Sequence, residues 1–182
     1  MCVLYNGIAQ HFVWKNFGFV FELPSNALPP GVTECQIDIQ AIGQGQFEFP
    51  DDCELISGIY SISSPCTLQK PATVEIQHCA VATTDKQCSR FSFVFARFTS
   101  LQEVTHSFCV DGSGAFSPHS SYGCIQTTQF SLWSIVYNLL PGLSVQRIYS
   151  AALYYLHDGI NSWKVHFVIT WDLDVHIQVR LL

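Results

Sequence analysis

The sequence predicts an all-β protein, an antiparallel β-sandwich or Greek-key arrangement, and three observations carry that expectation. Apolar and polar residues alternate with period two along much of the chain, which turns one face of each segment inward. Clusters of Pro, Gly, Ser and Asp interrupt these runs at a spacing of about ten residues, as in sandwiches of short strands. No segment long enough for a stable helix combines a 3.6-residue apolar period with a cap at both ends.

Phe17, Phe19, Phe21 and Leu23 alternate with Gly18, Val20 and Glu22 and predict the first strand. Pro24 and Pro29 then fix φ and forbid helix, and Gly31 can take the positive φ that reverses the chain. Cys35, Ile37, Ile39 and Ala41 oppose Gln36, Asp38 and Gln40, the pattern of a half-buried antiparallel strand. Gly43-Gln44-Gly45 marks a turn before Phe47 and Phe49, which flank Glu48. Further turns are expected at Pro50-Asp51-Asp52 and Ser63-Ser64-Pro65. Val74 and Ile76 oppose Thr73, Glu75 and Gln77. Phe91, Phe93 and Phe95 form a ladder opposed by Ser92, Val94 and Ala96 and are expected to pack inward. After the turn at Asp111-Gly112-Ser113-Gly114, strands are expected at 132–137, 150–156, 163–170 and 174–181, the last two joined by Trp171-Asp172-Leu173. The pattern allows a short helix around 136–140 that stops at Pro141-Gly142. The interruption at 138–147 divides a larger unit, 12–137, from a smaller β-rich one, 148–182.

Composition excludes several function classes. Of 182 residues, 48% are hydrophobic, 12% are charged and 14 are phenylalanine, which is far too apolar for disorder. The net charge is −6 and the eight Lys and Arg residues are scattered, so no basic stripe exists for a nucleic-acid backbone. The N-terminus lacks the basic region of a signal peptide, and no window is apolar over the roughly 18 residues of a membrane helix. With no Asn-x-Ser/Thr site, the expectation is a soluble, cytoplasmic protein. Its eight cysteines are then expected to be reduced, with Cys35, Cys79 and Cys109 as small buried hydrophobes within strands. The alternative is an extracellular disulfide-linked domain, which a thiol titration in denaturant distinguishes.

The stretch FGFVFELPSNALPPGVTECQIDIQ resembles the opening of a ZU5 domain, named for zonula occludens and netrin-receptor proteins. The resemblance rests on Leu23-Pro24, Ala27-Leu28-Pro29 and Gly31, which end one strand and lead into a charged, alternating one. ELISGIYSISSP, and Lys70-Pro71 ahead of a strand ending in His78-Cys79, are similar to the family's central strands; TTQFS at 127–131 resembles its closing strand. The remainder, with SAALYYL and SWKVHFVIT, is similar to the start of a UPA domain. The resemblance implies a Greek-key ZU5-like sandwich over 12–137 and a partial UPA-like segment over 148–182. It also implies a non-catalytic protein-interaction module of intracellular signalling or scaffolding, acting through intramolecular or partner-protein contacts.

One chemistry accompanies the family. Some ZU5–UPA proteins cleave themselves between Phe and Ser, the hydroxyl attacking the preceding carbonyl to form an ester that water resolves. Phe130 and Ser131 match that site, but Gln129 stands where histidine is usual, and an amide is no general base. His106 or His119 would have to serve instead. The alternative to the interaction module is therefore a self-cleaving protein split between Phe130 and Ser131. Other chemistry finds no support: there is no G-x-S-x-G elbow and no phosphate-binding glycine motif. Asp51-Asp52 reads as turn chemistry. His78, Cys79 and Cys88 lack the spacing of a zinc knuckle, and His78 reads as a hydrogen-bonded core or edge histidine. No cofactor and no metal are expected.

Overall fold

A computed structural model describes residues 2–42, 46–96, 105–139, 146–157 and 161–170; for the last two segments, Gln46 and Thr105 it describes backbone alone. The described chain is nearly all β, with antiparallel sheets, as expected. In chain order the strands are β1 (Cys2–Tyr5), β2 (Gln10–Trp14), β3 (Phe19–Leu23), β4 (Glu34–Ile42), β5 (Gln46–Glu48), β6 (Cys53–Leu55), β7 (Ile59–Ser63), β8 (Ala72–Gln77) and β9 (Ala80–Val81). They continue as β10 (Phe91–Ala96), β11 (Thr105–Ser107), β12 (Cys109–Asp111), β13 (Ala115–Phe116), β14 (Tyr122–Thr127), β15 (Leu132–Asn138), β16 (Gln146–His157) and β17 (Asn161–Thr170). A 3-10 turn spans Lys15–Phe17 and one short helix, α1, spans Asp85–Cys88.

Two sheets form the sandwich. One runs in the order β1-β4-β7-β15-β10-β12, with β6 also paired to β15; the other runs β13-β14-β8-β3-β2. The main core lies between them. Phe19, Phe21, Val74, Ile76 and Ile125 of the second sheet meet Leu4, Ile37, Ile62, Phe93, Trp133 and Ile135 of the first. Burial of each such large side chain contributes about 1.5–3 kcal/mol. The period-two pattern thus placed β3, β8 and the first half of β4 correctly; Ile39 is only half buried and Ala41 is exposed.

A smaller layer covers part of the first sheet's other face. Strands β5 and β11 pair in parallel, His106 opposite Phe47. Phe47, Phe49 and Phe108 pack there with Val94, Ala96, Leu132 and Val136. The phenylalanine ladder of β10 points into the main core with Phe91 and Phe93 buried, while Val94 and Ala96 point into this second one. Strands β10 and β15 are therefore sandwiched on both faces. The hairpin of β16 and β17 pairs from Ile148 opposite Thr170 to His157 opposite Asn161. Strand β16 begins opposite β9, Gln146 facing Val81.

Several expectations are corrected. Phe17 is not a core residue: Gly18 takes φ +60°, ending the 3-10 turn, and leaves Phe17 61% exposed. A β-carbon at Gly18 would lie 2.6 Å from that of Gln77, so glycine is required on both counts. The short helix allowed around 136–140 is instead the end of β15, held by pairing of Tyr137 with Phe91 and Glu54. Cys109 is exposed on the edge strand β12. Cys35 is buried as expected but forms a disulfide with Cys66, whose Cα lies 6.5 Å away because the chain beyond β7 passes beside β4. The turn at 43–45 and the strand at 174–181 lie outside the described residues.

Candidate functional site

Phe130 and Ser131 lie in the link that carries the chain from β14 in one sheet to β15 in the other. Thr127 shapes this crossing: its Oγ1 accepts the Gln129 N–H at 3.0 Å, an ST-turn that lifts Gln129 into solvent. Phe130 packs against the main core and Ser131 is buried. The Ser131 carbonyl accepts the Ile62 N–H at 2.9 Å, and its hydroxyl is donated to the Ala96 carbonyl. A hydroxyl held this way stitches the crossing to β10.

The two histidines named as substitute bases are placed differently. His119 sits in the loop before β14 with φ +64°, its N–H donated to the Ala82 carbonyl at 2.7 Å. Ser131 follows the far end of β14. A six-residue strand, at about 3.3 Å per residue, sets them on the order of 20 Å apart. His106 stacks on Phe47 with ring centroids 6.0 Å apart, in the layer over the Ala96 and Leu132 end of the first sheet.

The residues behind the family resemblance meet one another. The Leu23-to-Gly31 turn closes with Val32 N–H donating to Pro29 O at 3.1 Å and Gly31 at φ +83°. Lys70 Nζ donates to Ser25 O at 2.8 Å, and Gln69 N–H to Ala27 O at 2.8 Å. Lys70-Pro71 and the turn therefore form one corner of the sandwich.

A cleft of about 500 Å³ opens between the 55–60 segment and the 77–81 segment. Ser57 bridges to His78, and Cys79 N–H donates to Ile56 O at 2.8 Å, so this stretch ties the sheets together. Ser57 Oγ also accepts the Ile135 N–H at 2.8 Å. His78 is buried, with Nδ1 3.0 Å from Ala80 O, and burial holds its imidazole below the ordinary value. Burial pushes the Cys79 thiol up, which keeps it protonated and a poor nucleophile. Tyr60 closes the cleft, its hydroxyl donated to the Phe17 carbonyl and its pKa pushed up to about 12 by burial. Among the described residues no group of three His, Cys, Asp or Glu side chains is placed to hold a metal ion.

The least anticipated surface is N-terminal. Of the seven exposed large hydrophobic residues described, five lie between residues 3 and 17: Val3, Tyr5, Ile8, Val13 and Phe17. This stretch supplies β1 at the end of one sheet and β2 at the end of the other. Gln10 closes the outer side of β1, its Oε1 accepting Tyr5 N–H at 2.6 Å and its Nε2 3.4 Å from Val3 O. The available signal was QHFVW, in which Phe12 and Trp14 alternate with His11 and Val13. It was missed because strands this short, at a chain end, show too few alternations to stand out.

No known family matches this chain, and no curated protein matches it. No helix described is long and apolar enough to cross a membrane.

Proposed function

We propose that the chain is a non-catalytic protein-interaction module of the ZU5 type with a UPA-like segment after it, serving signalling or scaffolding through contacts with partner proteins. The observation that carries this reading is the concentration of exposed apolar side chains at residues 3–17: Val3, Tyr5 and Val13 on the end strands of the two sheets, Ile8 in the turn between them and Phe17 in the 3-10 turn that follows. Apolar side chains gathered at an exposed edge are characteristic of association surfaces. The engaged hydroxyl of Ser131 agrees with a structural rather than a nucleophilic use. The ZU5 assignment rests on the corner built from Leu23 to Gly31 and Lys70-Pro71. An intracellular setting belongs to that assignment, whereas the Cys35–Cys66 disulfide favours an oxidising one, and the thiol count decides between them.

Hydrogen exchange tests the reading, comparing the chain alone with the chain bound to partner protein captured from lysate. Added protection is expected across residues 2–17. Protection confined to other parts of the sandwich would overturn the assignment of the contact face.

A further inference from the structure

Asn6 and Gly7 lie in the turn that carries the chain from β1 in one sheet to β2 in the other. Among the asparagines of the chain, Asn6 alone is followed by glycine. That order matters chemically, because the backbone nitrogen after an asparagine can close a five-membered ring on its side-chain amide. A side chain on the following residue crowds that nitrogen, and glycine has none.

The fold adds to this reactivity. Gly7 N–H donates to Asn6 Oδ1 at 3.2 Å, so the nitrogen and the amide it would attack are already neighbours. Gly7 is exposed, with φ +89°, in a turn where water reaches the nitrogen and the backbone can adjust. Asn6 N–H is held by Thr33 O at 2.8 Å and Tyr5 N–H by Gln10 Oε1 at 2.6 Å, which anchors the residue while its side chain reacts. The other asparagines are placed differently. Asn138 has both ends of its amide engaged, Oδ1 accepting from Cys53 Sγ at 3.0 Å and Nδ2 donating to Ser92 Oγ at 3.3 Å. Asn26 is exposed, but the nitrogen after it belongs to Ala27, which is fully buried. Asn16 and Asn161 precede Phe17 and Ser162.

We propose that Asn6 is a site of spontaneous deamidation, for which the chain supplies the nucleophile and solvent supplies the rest. The Gly7 nitrogen gives its proton to a solvent base and attacks the Asn6 amide carbon. A carbon–nitrogen bond forms there, the bond to the side-chain nitrogen breaks, and ammonia leaves with a proton taken from solvent. Water then opens the succinimide ring. Attack at the former side-chain carbonyl leaves an aspartyl residue, and attack at the main-chain carbonyl leaves an isoaspartyl one. Either product puts a carboxylate between the exposed Tyr5 and Ile8, and the isoaspartyl form also lengthens the main chain of the turn by a methylene. The modification stands on the turn alone; that it would weaken partner binding rests on the interaction reading above.

The test is incubation of the full-length chain at neutral pH in water enriched in ¹⁸O, followed by peptide mass mapping and labelling with an isoaspartyl methyltransferase. The expected result is uptake of ¹⁸O and of methyl label at position 6, ahead of every other asparagine. Gly7→Ala should slow conversion to the level of Asn26. A β-carbon at Gly7 would meet no described atom within 4 Å, so the cost of that substitution is the positive φ alone. Should that cost unsettle the turn, Gly7→Asn, which tolerates positive φ, makes the same comparison. An amide at position 6 that persists as long as that of Asn26, or conversion indifferent to both substitutions, would overturn the proposal. The modification and the interaction reading fail separately. If position 6 converts as expected while partner capture survives Ile8→Asp/Val13→Asp, the modification stands and the N-terminal contact face falls. If the amide persists while that double substitution abolishes capture, the modification falls and the interaction reading stands.

Discussion

Strand β15 and the N-terminal stretch 2–17 are both rich in large apolar side chains, and the fold gives them opposite fates. From Leu132 to Tyr137 every residue is buried, Ser134 included, because β15 lies between β10 and β7 and has a packed layer on each face. Ser134 is tolerated there because its hydroxyl donates to Gly58 O at 3.0 Å. In 2–17 the strands end their sheets, and Val3, Tyr5, Ile8, Val13 and Phe17 remain exposed. Hydrophobic content therefore does not separate core from contact surface in this chain. Position in the sheet order does.

The contrast can be broken most forcefully at the centre. Trp133, 1% exposed and tilted against Phe95 at 5.4 Å, should cost about 3–5 kcal/mol on replacement by alanine, read from denaturant midpoints. A loss below about 1 kcal/mol would mean that β15 is not the doubly covered centre. Next in size is the staple beneath the N-terminal edge, since Cys35 stands opposite Leu4 of β1. Replacing Cys35 and Cys66 together by alanine should cost about 2–4 kcal/mol, as expected for closing a loop of 31 residues. Under non-reducing denaturing conditions the wild-type chain should titrate six thiols rather than eight. Eight would remove the staple and restore the reduced, intracellular expectation.

A smaller effect comes from His78, at the seam between the sheets. Its folded-state pKa is depressed below 6.5, so below that pH the unfolded chain takes up a proton that the folded chain resists. The stability it contributes is fully present above 6.5 and falls as pH drops from there toward the folded value. The melting temperature should decline across this acid range, and His78→Gln should flatten that part of the profile. An unchanged slope would detach His78 from the core. The smallest expected effect is none at all: on a denaturing gel the purified chain should run as a single band near 20.4 kDa, with and without Ser131→Ala. Two fragments, abolished by that substitution, would establish self-cleavage at Phe130-Ser131 instead.

Much of the sandwich was legible in the alternation, because strands covered on one face, such as β3 and β8, must alternate to bury it. The same logic placed β10 and β15 and the inward ladder of β10 but says nothing of their other face. Val94 and Ala96 are buried as well because β5 and β11, far apart in the sequence, pair across it. Phe17 extended the alternation of β3 by one step, and only the left-handed Gly18 breaks it. Helix α1 had a readable signal in Thr84-Asp85-Lys86-Gln87, a capping box in which Thr84 Oγ1 accepts Gln87 N–H at 3.3 Å and Gln87 Oε1 accepts Thr84 N–H at 3.2 Å. The pairing of Cys35 with Cys66 was not legible, since spacing does not fix connectivity among eight cysteines. Of the functional surface, His78 was readable from its shared face with Val74 and Ile76. The N-terminal face was not, because exposure at an edge depends on which strands lack a neighbour.

The most direct measurement is partner capture by the wild-type chain beside the Ile8→Asp/Val13→Asp chain, with thermal unfolding of both. Both positions are exposed, so stability should change by less than about 0.5 kcal/mol per site while capture is lost. Undiminished capture by the folded double variant would contradict the claim that residues 3–17 form the contact face.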